Sequence, residues 1–180
     1  MNHPLPLPRI PASPPATGRG GPAAVAAVTI ERVTVMDLEE AAGLPADAET
    51  AVISVTDPGV RAPLADGFAH VLRLQFHDVD DAMLEALARL ARAPGEEPEP
   101  FRAEQARRLV AWAEALAAAP EPLRVAVHCH AGVSRSPAIA WFLNGVYGAD
   151  LRWRPHFAPN RRVLRLLAEA AGWPPSDPGP

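Results

Sequence analysis

The chain has 180 residues, 48% of them hydrophobic and 21% charged, with a formal net charge of −4, the proportions of one globular domain with room for a sizeable core. All 17 basic residues are arginine, which excludes Schiff-base chemistry and any lysine-dependent phosphate loop, and the acidic balance disfavours nucleic acid as a partner. The single cysteine excludes an internal disulfide and a cysteine-rich zinc site, and no apolar run reaches the ~20 residues of a membrane span.

Residues 1–27 read as a Pro-, Gly- and Ala-rich tail, extended or disordered, with a proline-motif ligand as the alternative. No basic start is followed by an apolar core, so no secretory signal is expected, and a reducing cytoplasm suits an unprotected thiol. A domain is expected over 28–172, with a frayed tail, 173–180, opening on Trp173-Pro174-Pro175.

The alternating run within Val25–Met36 predicts a first strand. Asp37 caps a short helix through Ala42, ended by Gly43 and Pro45. Ala51–Val55 is a second strand, stopped by the turn Asp57-Pro58-Gly59. His70–Phe76 is a third, running into His77-Asp78-Val79-Asp80-Asp81. Met83–Ala91 has helical spacing, and an acidic, proline-rich linker follows at 93–100. Phe101–Ala118 is a helix with Leu109, Val110, Ala113 and Leu116 on one face. A last helix spans Asn160–Ala171. Alternating strands and helices predict an α/β domain with a mainly parallel central sheet flanked by helices. Ligands bind beyond the carboxyl ends of the strands in such sheets.

One stretch at that edge carries chemistry. Leu123, Val125 and Val127 mark a buried strand, and Pro137 opens the apolar helical segment Ala138–Val146. Between them lies His128-Cys129-His130-Ala131-Gly132-Val133-Ser134-Arg135-Ser136. A short loop entering a helix N-terminus turns successive N–H groups toward one point and so cradles an anion. Gly132 supplies the freedom of φ that such a wrap requires. Arg135, five residues past the cysteine, brings a planar fork that binds two phosphate oxygens at once. A free thiol titrates at about 8.5, but helix N-termini and neighbouring cations lower that to roughly 3.5–7.5. Cys129 is then a standing nucleophile beside a bound phosphate. The alternative is a small, inert, buried thiol.

The pattern His-Cys-x5-Arg-Ser, with its strand before and helix after, resembles the signature loop of cysteine-dependent protein tyrosine and dual-specificity phosphatases. The resemblance covers roughly residues 28–171 and is most specific in the loop. It implies a dual-specificity-phosphatase-like fold and hydrolysis of phosphate monoesters through a cysteinyl-phosphate, without metal or organic cofactor. Cys129 would be the nucleophile. His130, Ala131, Gly132, Val133, Ser134 and Arg135 would bind phosphate. His128 would steady the loop, or simply pack. Ser136 would hydrogen-bond the sulfur, cap the helix, or both. His130 would face the mouth of the cradle.

The family brings its general acid from a loop after an earlier strand. The matching segment is His77–Asp81, where register favours Asp78 and leaves Asp80 and Asp81 open. Either of those two would otherwise cap the next helix. The segment from this loop to the helix at 101–118 is long for the family, which keeps that register open. His77 would bias the acid or face solvent. Pro159-Asn160-Arg161 also resembles a late element of dual-specificity phosphatases. Arg152, Arg154, Arg161, Arg162 and Arg165 would form an ion-paired surface or attract anionic substrates.

In a chain too short for the larger tyrosine-specific domain, the resemblance implies the shallower pocket of the dual-specificity group, open to phosphotyrosine and also to phosphoserine and phosphothreonine in proteins. The alternatives are a non-protein substrate (an inositol phosphate, a lipid or an RNA 5′ phosphate) and a phospho-binding pseudophosphatase. Lipid and inositide members often place lysines in the loop, and this one has none. Sulfur transfer of the rhodanese kind is disfavoured by the cysteine-to-arginine spacing.

Overall fold

A computed structural model describes residues 30–89, 97–121 and 123–173. The expected tail at 1–27, residues 25–29 of the first strand, residues 90–91 of the helix expected from Met83, residues 93–96 of the acidic linker and residues 174–180 lie outside the described residues.

The elements run β1 (Ile30–Met36), α1 (Leu38–Ala42), β2 (Thr50–Thr56), β3 (His70–Gln75), α2 (Asp81–Ala88), α3 (Ala103–Ala117), β4 (Leu123–His128), α4 (Arg135–Tyr147), β5 (Asp150–Leu151) and α5 (Arg161–Ala171). The strands form one sheet in the order β3-β2-β4-β1-β5, and every pairing is parallel. The fold is thus α/β, with a parallel sheet flanked by helices. Among the described residues, no helix is long and apolar enough to cross a membrane.

Strand alternation divides the sheet into two unlike faces. Val33 and Val35, Ile53 and Val55, Leu72 and Leu74, and Val125 and Val127 join Leu109 of α3, Ile139 and Leu143 of α4, and Leu167 of α5 in the main core. The opposite face carries Val52, Ser54 and Thr56 beside Arg73, Gln75, Ala126 and His128. In register, Ser54 stands between Arg73 on one side and His128 on the other. This polar row is unusual for a parallel sheet, whose strands are normally apolar on both sides.

Local chemistry explains the helix ends. Asp37 caps α1, accepting from Glu40 N while Glu40 reaches back to Asp37 N, a reciprocal pair that satisfies two donors otherwise orphaned. Asp80 caps α2 through Met83 N, and Asn160 caps α5 through Val163 N. Helix α4 buries every residue from Arg135 to Ala140, so it is enclosed rather than amphipathic.

One element lay outside the expectations, and one expectation is corrected. Strand β5, two residues paired with β1, is too short to show a pattern in sequence. Trp173, placed in the frayed tail, instead packs on α4: its ring centroid lies 6.1 Å from that of Phe142. A Cβ on Gly145 would come within 2.5 Å of the indole, so the missing side chain there makes the seat for it.

Candidate active site

Strand β4 is the middle strand of the sheet, so the loop after it meets the loops leaving β1, β2 and β3. Each contributes to the site. From β1, Leu38 N donates to His130 O at 3.2 Å, and Gly132 sits against Met36 and Asp37. Its φ is +67°, and a Cβ there would lie 3.1 Å from Met36 O and Asp37 N. Both the backbone sign and the space therefore demand glycine. From β2 comes Asp57, the first residue of a turn in which Pro58 precedes Gly59 at φ +77° and Val60 N closes on Asp57 O. From β3 come Phe76 and Asp78.

Cys129 is 2% exposed and sits among donors. Ser136 Oγ donates to its sulfur at 3.1 Å. Burial works against the thiolate, but that hydroxyl, the N–H groups of Ser136 and Gly132, and the charge of Arg135 outweigh it, and the thiol is held below its ordinary range. The inert-thiol alternative lacks this convergence of donors.

Arg135 is 4% exposed. Its Nη1 donates to Phe76 O at 2.8 Å and to Asp57 Oδ1 at 2.6 Å. Its Nε is buried without a hydrogen-bond partner; Asp78 Oδ2 is 3.9 Å away. A buried guanidinium N–H left unpaired is costly, and an oxyanion seated in the loop would satisfy it. The anchoring of Nη1 leaves the edge that carries Nε for a ligand.

The three candidate acids part company. Asp78 Oδ1 accepts from Ser134 Oγ at 2.8 Å and from Asn160 Nδ2 at 2.9 Å, so its carboxylate lies at the loop with Oδ2 on the Arg135 side. Asp80 is the cap of α2. Asp81 is ion-paired with Arg162 and Arg165. His77 does not turn to Asp78: its Nδ1 accepts from Glu99 N at 2.9 Å. Arg162 and Arg165 thus belong to an ion-paired surface, as one of the two expectations had it.

His128 is buried, and its ring spans two strands. Nδ1 faces Cys129 O, which can only accept, so the proton belongs on Nδ1 and Ser54 Oγ donates to Nε2 at 2.8 Å. Burial above all, with the charges of Arg73 and Arg135, lowers its pKa and keeps the ring neutral. Through these two bonds the ring links the start of the loop to Ser54 of β2. Of the remaining loop residues, His130 and Ala131 are exposed, while the carbonyls of Val133 and Ser134 accept from Ala158 N and Asn160 N.

Sequence reasoning missed Asp57 and Ser54 as parts of the site, and gave Asn160 no task beyond its resemblance to a late family element. Asn160 ties three pieces together: its side chain caps α5, its Nδ2 holds Asp78, and its N–H holds Ser134 O. The Pro-Asn pair before a helical run is the available signal. No family model matches the chain, and no curated protein matches it in sequence.

The role of Ser136 is measurable. Above the lowered pKa, Cys129 is thiolate and reacts with iodoacetamide; below it, reactivity falls. Ser136→Ala removes the hydroxyl donor, so the inflection of the pH–alkylation profile should move up. The shift should be on the order of one pH unit, the worth of one hydrogen bond to a charged group. An unmoved profile would assign that hydroxyl to packing alone.

Proposed function

We propose that the protein hydrolyses phosphate monoesters, with phosphotyrosine in proteins foremost and phosphoserine and phosphothreonine beside it. The observation that carries this is one buried loop in which every group bonded to Cys129 Sγ is a donor and Arg135 Nε has no partner. Such a site holds a thiolate and a phosphoryl group side by side.

The Cys129 thiolate attacks phosphorus, forming the S–P bond as the ester P–O bond breaks. The loop N–H groups and the Arg135 edge take the equatorial oxygens. Asp78, protonated on Oδ2, gives its proton to the departing oxygen. A water then attacks the phosphocysteine, Asp78 takes its proton back, and phosphate leaves. Ser136 stabilises the sulfur as it departs. A reducing cytoplasm suits this chemistry, and no metal or organic cofactor has a task in it.

The test is phosphate release from phosphotyrosine, phosphoserine and phosphothreonine peptides, inositol phosphates and 5′-phosphorylated RNA. Release from none of them would end the reading. The same panel reports on the acid. Asp78→Asn should slow a phosphotyrosine peptide by ~10²-fold or more and an activated aryl phosphate by far less, since a good leaving group needs no proton. The alkaline limb of the pH–rate profile should flatten with it. Asp80→Asn and Asp81→Asn should change either rate only a few-fold. Leaving-group-dependent loss in Asp80→Asn instead would move the acid two residues along the loop.

A further inference from the structure

On the polar face of the sheet, a cavity of about 310 Å³ is lined by Ser54, Thr56, Val60, Arg61, Arg73 and Gln75. It lies on the side of the sheet opposite the main core. Ligand pockets begin at about this size, ~300 Å³. Its lining holds two arginines and no acid. Among the described residues, neither Arg61 nor Arg73 lies within ion-pair distance of a carboxylate. Arg73 is half-buried and spends one N–H on Ala62 O at 3.1 Å. The polar neighbours are fixed: Thr56 Oγ1 and Gln75 Nε2 both donate to Val60 O, at 2.7 and 2.6 Å. These bonds hold the segment after β2 over the sheet and set the wall of the cavity. Burial and the nearby charge of Arg61 both disfavour the cation at Arg73, an unbalanced charge that an anion would offset.

We propose that this cavity is a second anion site, taking a compact phosphate group, free or carried on a small molecule, between the guanidinium groups of Arg61 and Arg73. Each guanidinium presents a fork matched to phosphate oxygens, and the second amide hydrogen of Gln75 Nε2 is available to a third oxygen. The site is separate from the cysteine loop but touches its support. Ser54 lines the cavity and also donates to His128, the residue before Cys129.

The full chain carrying Cys129→Ser, labelled with ¹⁵N, is titrated with sodium phosphate and, separately, with glycerol 3-phosphate. Sodium chloride at matched ionic strength and glycerol are the controls. The backbone amides of Val60, Arg61, Arg73 and Gln75 should shift saturably, on a curve distinct from that of the loop amides 130–135. Arg61→Gln and Arg73→Gln should each weaken the first curve at least tenfold and leave the loop curve within twofold. Arg61 is exposed, so its variant serves even where Arg73→Gln fails to fold. A response to only one of the two ligands would support the site and name the source of its phosphate. Cavity amides that follow chloride equally, move only in step with the loop, or ignore both substitutions would overturn the proposal. Loss of the loop curve alone would count against the phosphatase reading and leave this site standing.

Discussion

Cys129→Ser should leave no measurable turnover of an aryl phosphate, a fall of at least ~10⁴-fold. The serine oxygen would sit where the sulfur sits, within reach of the same donors: Ser136 Oγ and the N–H groups of Gly132 and Ser136. These stabilise an anion, but none can take a proton. The thiol's pKa is lowered under their influence, whereas a serine hydroxyl needs a base. His128 cannot be that base, because its ring nitrogens face Ser54 Oγ and Cys129 O. The variant should keep its circular dichroism spectrum and still bind vanadate, since the loop and Arg135 are untouched. Retained turnover, with contaminating phosphatase excluded, would remove the cysteine from the mechanism and the proposed function with it.

The proposed nucleophile and its loop were legible because they are contiguous. Cys129, Gly132 and Arg135 fall within seven residues, between a strand and a helix, and local geometry alone brings them together. Caps such as Asp37 were legible for the same reason: the side chain reaches only three residues along the chain. The rest depended on strand order. Asp57 meets Arg135 from 78 positions away, because β2 lies beside β4 although β3 comes between them in sequence. The Asp-Pro-Gly turn accounts for Asp57 without any partner, so nothing in the chain asked for one. Ser54 and His128 likewise meet through register, which periodicity does not supply across strands distant in sequence. Asp78 stands between these cases. Its position after β3 was readable, but its separation from Asp80 and Asp81 came from what those two residues do elsewhere, a cap and an ion pair.

Arg135→Lys tests the geometry of the cradle rather than its charge. The arginine does two jobs with different nitrogens: Nη1 anchors to Phe76 O and Asp57, and the edge carrying Nε is left to a ligand. An ammonium is a point charge. In this buried position it can go to Phe76 O and Asp57, or reach toward the loop, but it cannot hold both places in one plane. Asp57 is a ready carboxylate, so the ammonium should settle there and leave the phosphoryl oxygens without the paired donors of the guanidinium edge. Loss of a single oxyanion donor costs roughly 10²–10³-fold in rate; the loss of a bidentate pair should reach at least that in kcat/KM. Vanadate should bind more weakly by a comparable factor, because it presents the same oxygens. Thermal unfolding of the variant, with and without vanadate, separates a weakened fold from a weakened cradle. A weak fold lowers both midpoints together, whereas a weak cradle shrinks the difference between them. Near-normal kcat/KM with normal vanadate binding would mean that the free Nε edge has no ligand to meet, and that Arg135 serves the fold by tying the start of α4 to the ends of β2 and β3.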